Sequence, residues 1–182
     1  MSTLFNVRRL DVRAFAQAGE LLSGQASLSE MPRLQADCAG VSPDRQIQWS
    51  AKGGLQAQVN APAKVWLQVK ATTALPFVCQ RCLEPVEITV AVERDFRFVS
   101  SERLAEEEDQ LAEEDLLVES REFDLLSLIE DELLMEVPLV PRHTKCPSTI
   151  VMAVQDSDFE VAEHSSPKPF AALAGLKKHP GK

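Results

Sequence analysis

The sequence predicts an α+β fold: an antiparallel β-meander sheet with packing helices, an acidic loop and a flexible C-terminal tail. Three observations predict it. Between residues 45 and 99 apolar and polar residues alternate through several short runs joined by turn residues, as in an antiparallel sheet with one buried face. The stretch "FDLLSLIEDELLMEVP" (123–138) carries apolar residues at helical spacing. After residue 147 core-forming residues thin out. A single domain is therefore expected over 1–147, with its acidic loop at 101–115 and a tail over 148–182. The meander has enough strands to curl toward a barrel-like sheet, and periodicity leaves closure open.

"DVRAFAQAGELL" (11–22) reads as a helix capped by Asp11, with Val12, Phe15, Ala16 and Leu22 on one face. Gly19 lies on that face and weakens the last turn. "SLSEMPRL" (27–34) reads as a shorter helical turn, with Ser27 as cap, Glu30 three residues on, and Pro32 limiting its length. "RQIQWSA" and "LQAQVNA" read as two strands joined by a turn at Gly53-Gly54. "KVWLQVKAT" and "VEITVAVERDFRFV" continue the alternation on either side of "LPFVCQRCLEP". The dense like charge of "SERLAEEEDQLAEED" (101–115) predicts a solvated loop or a weak exposed helix. "LLVES" (116–120) is one more strand candidate. In the 123–138 helix Asp124 is the cap, and Leu126, Ile129, Leu133 and Val137 form the stripe, with Leu125, Leu128 and Met135 beside it. Its carboxylates are expected on the outer face. The closing "KPFAALAGLKK" places Phe170, Leu173 and Leu176 in a short amphipathic stretch.

Of the 182 residues 45% are hydrophobic, ordinary for a globular chain. The early segment has no uninterrupted apolar core of a signal peptide, and no stretch approaches the roughly 20 apolar residues of a membrane span. A cytoplasmic protein without a membrane partner is expected. There thiols stay reduced, so a C-x-x-C reads as metal or redox chemistry rather than as a disulfide. The net charge of -9 divides unevenly. Residues 102–136 hold fifteen Asp and Glu against two Arg, and the remainder of the chain is mildly basic at +4. A nucleic-acid partner is therefore not excluded by the acidic total.

Four residues have metal-ligand chemistry. Cys79 and Cys82 stand two residues apart in a hairpin turn, where both sulfurs can face one ion. His143 and Cys146 of "RHTKCP" repeat the spacing. Together they make a Cys₃His set of the kind that holds zinc, provided the fold brings together halves some sixty residues apart. Simple packing of the cysteines is the plainer alternative. A thioredoxin-like role is disfavoured, because that chemistry places the first cysteine at a helix N-terminus. Phosphate-cradling, dinucleotide, nucleophile-elbow and zincin motifs are absent. The chain therefore reads as a binding or assembly protein with no small-molecule substrate, not as an enzyme.

"VCQRCLEPVEITV", "FDLLSLIEDELLMEVPLVPRHTKC" and "KPFAALAGLKK" together resemble the YceD family, the large ribosomal RNA subunit accumulation proteins. The three blocks occur in the family's order. The resemblance implies a non-catalytic role in synthesis, processing or stability of large-subunit ribosomal RNA. The implied partners are ribosomal RNA, a large-subunit ribosomal protein or a precursor particle. Zinc is not carried over by it, since some relatives look as if they place two cysteines where this chain has His143 and Cys146. If RNA is bound directly, Arg81, Arg94, Arg97, Lys177 and Lys178 are the candidate contacts. If a basic ribosomal protein is bound instead, the acidic segment is the candidate chaperone surface.

Overall fold

The structure is a computed structural model that describes residues 5–40, 44–59, 61–148 and 170. The chain divides into two compact units, Met1–Cys146 and Pro147–Lys182. Of the second, only Pro147, Ser148 and the exposed Phe170 are described, so Leu173, Leu176, Lys177 and Lys178 lie outside the described residues. In the first unit the elements run α1 (Val12–Ala18), β1 (Leu21–Ser27), α2 (Pro32–Asp37), β2 (Gln46–Gln58), β3 (Ala61–Val78), β4 (Pro85–Val99), α3 (Glu102–Glu108), β5 (Asp115–Val118) and α4 (Leu125–Glu136).

The predicted α+β meander is present. The strands lie in sequence order, β1 to β4 antiparallel. β5 departs from that pattern and runs parallel to β4, with Phe96 opposite Asp115 and Val99 opposite Val118. The sheet is open, with β1 and β5 at its edges, so it is no barrel. One face is apolar. Along β3 every second residue from Val65 to Phe77 is buried, and Ile47, Trp49 and Ala51 of β2 and Val86, Val90 and Val92 of β4 complete the layer. The other face presents Gln46, Gln48, Lys70, Thr72, Glu87 and Glu93 to solvent. α4 covers part of the apolar face through Leu125, Leu126, Ile129 and Leu133, each worth about 1.5–3 kcal/mol of burial. Asp124 caps α4 as expected, accepting from Ser127 N at 3.0 Å.

Four local expectations change. The first helix ends at Ala18, because Gly19 takes φ 62° and its N–H closes the helix on the Phe15 and Ala16 carbonyls. Leu21 then opens β1, a mostly exposed edge strand in which only Ala26 is buried. Gly53 and Gly54 are not a turn but lie mid-strand in a continuous β2. A Cβ on Gly53 would come within 2.9 Å of the Phe15 carbonyl oxygen and ring and 3.0 Å of Ala16 Cα. Glycine is there so that α1 can lie directly on the strand. Ser27 and Glu30 form the expected capping box, but on a 3₁₀ turn, Leu28–Glu30. Pro32 then opens α2 rather than limiting a helix.

The acidic segment is a helix over Glu102–Glu108, capped by Ser101, before it becomes a loop. Arg103 pairs with Glu107 one turn on. The carboxylates of α4 are not all on an outer face either. Glu130 and Glu132 are 5% and 4% exposed. Met31 offers α2 no side-chain cap, and Glu130 supplies one from α4, accepting from Arg33 N at 2.7 Å and Leu34 N at 3.2 Å. Met135, expected beside the apolar stripe, is exposed. Among the described residues no helix is long and apolar enough to cross a membrane.

Candidate metal centre

The β3–β4 hairpin carries the first half of the centre. Its last paired residues are Val78 and Pro85, and Cys79 to Glu84 make the connection. Cys79 N–H donates to the Glu84 carbonyl at 2.9 Å and Leu83 N–H to the Cys79 carbonyl at 2.8 Å, which folds the two cysteines inward. Leu83 holds φ 62°, a left-handed conformation that favours glycine. The tight reversal after Cys82 demands it.

The second half follows α4. Pro138 and Pro141 prevent the helix from continuing, and the chain turns across the hairpin tip. Gln80 N–H donates to the Pro141 carbonyl at 2.8 Å, and an Arg81 Nη donates to the His143 carbonyl at 3.0 Å. His143 N–H points at Cys79 Sγ, 3.4 Å away. These contacts bring Cys79, Cys82, His143 and Cys146 together, with all four ligand atoms within 4.8 Å of one another. Cys79 Sγ is 3.9 Å from Cys146 Sγ, and Cys82 Sγ is 3.4 Å from His143 Nδ1. A tetrahedral zinc ion with ordinary Zn–S and Zn–N bonds has edges of about 3.8 Å between sulfurs and about 3.6 Å between sulfur and nitrogen. The two edges match, the donors are soft or borderline, and the group fits zinc.

The two hairpin thiols are pushed in opposite directions. Burial pushes the Cys79 thiol up, but N–H groups of Cys82, His143 and Arg81 and the Cys82 thiol outweigh it and bring it down to about 5. Burial, with the neighbouring Cys146 and Cys79 sulfurs, raises Cys82 to about 11. A low-pKa cysteine also suits redox work, but Cys79 is fully buried in a strand-to-strand turn, closed to an incoming disulfide. Cys38 stands apart, half-buried, donating its S–H to the Leu34 carbonyl.

The candidate RNA contacts scatter. Arg81 lies at the centre, with Nε 3.0 Å from Cys146 Sγ. Arg94 pairs with Glu136 at 2.9 Å and lies 3.6 Å from Glu132. Arg97 is 4% exposed, clamped by Glu108 and Glu114, so its charge is spent inside the protein and presents nothing to a phosphate. Sequence reasoning missed the buried roles of Glu130 and Glu132, and the strained Leu83. A glycine after the second cysteine would have signalled that turn; leucine hides it.

The sequence profile of the family described as "Large ribosomal RNA subunit accumulation protein YceD" matches residues 67–177. The chain belongs to the YceD family. A curated YceD protein of Haemophilus influenzae, named large ribosomal RNA subunit accumulation protein, is 30% identical over 158 residues, 85% of this chain and 86% of the relative. Both halves of the metal centre fall inside the stretch that the YceD profile matches. No solved structure matches the chain.

Proposed function

We propose that the protein is a non-catalytic factor in the accumulation of large-subunit ribosomal RNA, acting in large ribosomal subunit biogenesis in the cytoplasm, and that Cys79, Cys82, His143 and Cys146 hold a structural zinc ion. The observation that carries the functional reading is membership of the YceD family, whose curated relative bears that name over most of its length. The geometry supports a structural rather than a catalytic metal. Four protein donors complete a tetrahedron and leave no position for water or substrate. Zinc there would supply a crosslink between the hairpin tip and the segment after α4.

The acidic-chaperone alternative keeps most of its surface: within 101–115 only Glu107, Glu108 and Glu114 are engaged by Arg103 and Arg97.

The test is a sucrose-gradient profile of ribosomal subunits in cells lacking the protein. Large subunits should fall relative to small ones and return on complementation; a normal profile would overturn the functional reading. Metal analysis of the purified full chain tests the ion. About one zinc per chain is expected for this set, and metal-free protein whose melting ignores chelators would remove it.

A further inference from the structure

Among the described residues eight of the eleven arginines pair with a carboxylate. Arg8, Arg9, Arg13, Arg33, Arg45, Arg94, Arg97 and Arg103 each hold a carboxylate. Arg81, Arg121 and Arg142 do not. Arg121 borders a surface shared with Asp11, Arg13 and Glu119, so carboxylates stand in its lining. Arg81 and Arg142 instead meet at one cavity of about 440 Å³, which His143 and Thr144 complete. That lining has four polar side chains and no carboxylate.

We propose that this cavity, on the outer wall of the metal centre, binds the phosphodiester backbone of RNA. The inference rests on the ribosomal RNA reading for the identity of its ligand, and on the cavity itself for the chemistry. Arg81 is pre-set: its Nε faces Cys146 Sγ and one Nη donates to the His143 carbonyl, which fixes the guanidinium plane and leaves its remaining N–H groups for an anion. Arg142 has no hydrogen-bond or ion-pair partner among the described residues, so an incoming phosphate breaks no existing pair. Lys145 has no ion-pair partner among the described residues, and residues 138–148 contain no acid. Leu83, Leu139 and Val140, all exposed, give the adjoining surface apolar edges suited to base faces.

The test is fluorescence anisotropy of the full chain with a labelled oligouridylate at several salt concentrations. Wild type should bind with a steep salt dependence. Arg142→Gln, which touches no metal ligand side chain, should weaken binding about 3- to 10-fold and flatten the slope of log K against log salt by about 0.7, one phosphate contact on a single strand. Arg121→Gln should bind like wild type. Arg81→Lys should lose affinity while its zinc content, measured in parallel, stays at the wild-type value. No binding by wild type, an unchanged Arg142→Gln, or an equal loss in Arg121→Gln would overturn the proposal. So would polyglutamate displacing the probe as well as unlabelled RNA does, because the cavity would then be a site for acidic peptide. The subunit profile of the deletion strain separates the two readings. A deficit there with negative anisotropy removes only the cavity, and a normal profile with positive anisotropy removes only the cellular role.

Discussion

Truncating Glu130 to alanine should be among the most destabilising single changes outside the apolar core. Its carboxylate, 5% exposed, accepts two backbone N–H groups at the start of α2, from Arg33 at 2.7 Å and Leu34 at 3.2 Å. Hydrogen bonds to a charged acceptor contribute about 1.5–3 kcal/mol each, and removal strands the buried Leu34 N–H. The accompanying pair with Arg33 adds at most about 0.5 kcal/mol, since that guanidinium is 51% exposed. The expected loss is about 3–6 kcal/mol, or roughly 10–20 °C in Tm for a body of this size. Glu130→Gln keeps one neutral acceptor and should lose about half of this. Asp131→Ala removes only the half-exposed partner of the same arginine and should cost under about 0.5 kcal/mol. Urea and thermal melts of the three variants give the ranking. A Glu130→Ala loss below about 1 kcal/mol, or an Asp131→Ala loss that equals it, would refute the view that α4 caps α2.

Gly53→Ala should destabilise by about 1–3 kcal/mol, because the new methyl meets the α1 backbone at 2.9–3.0 Å and the helix must lift; a melt like that of wild type would contradict the contact. Leu83→Gly should stabilise by about 0.5–1 kcal/mol, since φ 62° suits glycine and the leucine is 75% exposed; denaturant titration showing a loss would mean that the side chain matters more than the backbone. Glu132 is raised above the usual carboxylate range by burial, and Arg94, 3.6 Å away, only partly offsets this. The folded state therefore holds that proton more tightly than the unfolded one, so this group's contribution falls as pH rises from the ordinary carboxylate value through the raised one. Glu132→Gln should accordingly be more stable than wild type at neutral pH, with the gain vanishing below pH ~4; a pH-independent difference would contradict that linkage.

The long strands β3 and β4 are legible because alternation runs unbroken along β3 and through Val86–Val92 of β4, before exposed Arg94 and the buried run Phe96–Val99 interrupt it. β1 is not, since an edge strand with a single buried residue leaves little pattern, and its leucines extend a helical spacing that Gly19 in fact ends. Gly53-Gly54 looks like punctuation because the helix that needs the missing side chain of Gly53 packs on it from elsewhere in the chain. At the centre, ligand type and spacing pointed to the four donors, and the fold supplied their meeting. The role of Arg81 could not be read in advance, because its sulfur and carbonyl partners lie more than sixty residues on. Arg94 and Arg97 resemble free cations because their carboxylate partners lie on later elements, α4 for Arg94 and α3 with its following loop for Arg97. Pairing across the fold, not local sequence, decides which charges remain for a ligand.

The two ends of the metal centre enclose β4, α3, β5 and α4. Bringing Cys82 and His143 together closes a loop of about sixty residues, an entropic cost of about 3–4 kcal/mol in a structureless chain. That cost is removed only after the strands have paired and α4 has docked, because only then does the chain emerge beside the hairpin tip. An ion held by these four residues would therefore be captured late in folding, as a clasp across the β4-to-α4 segment rather than as a nucleus.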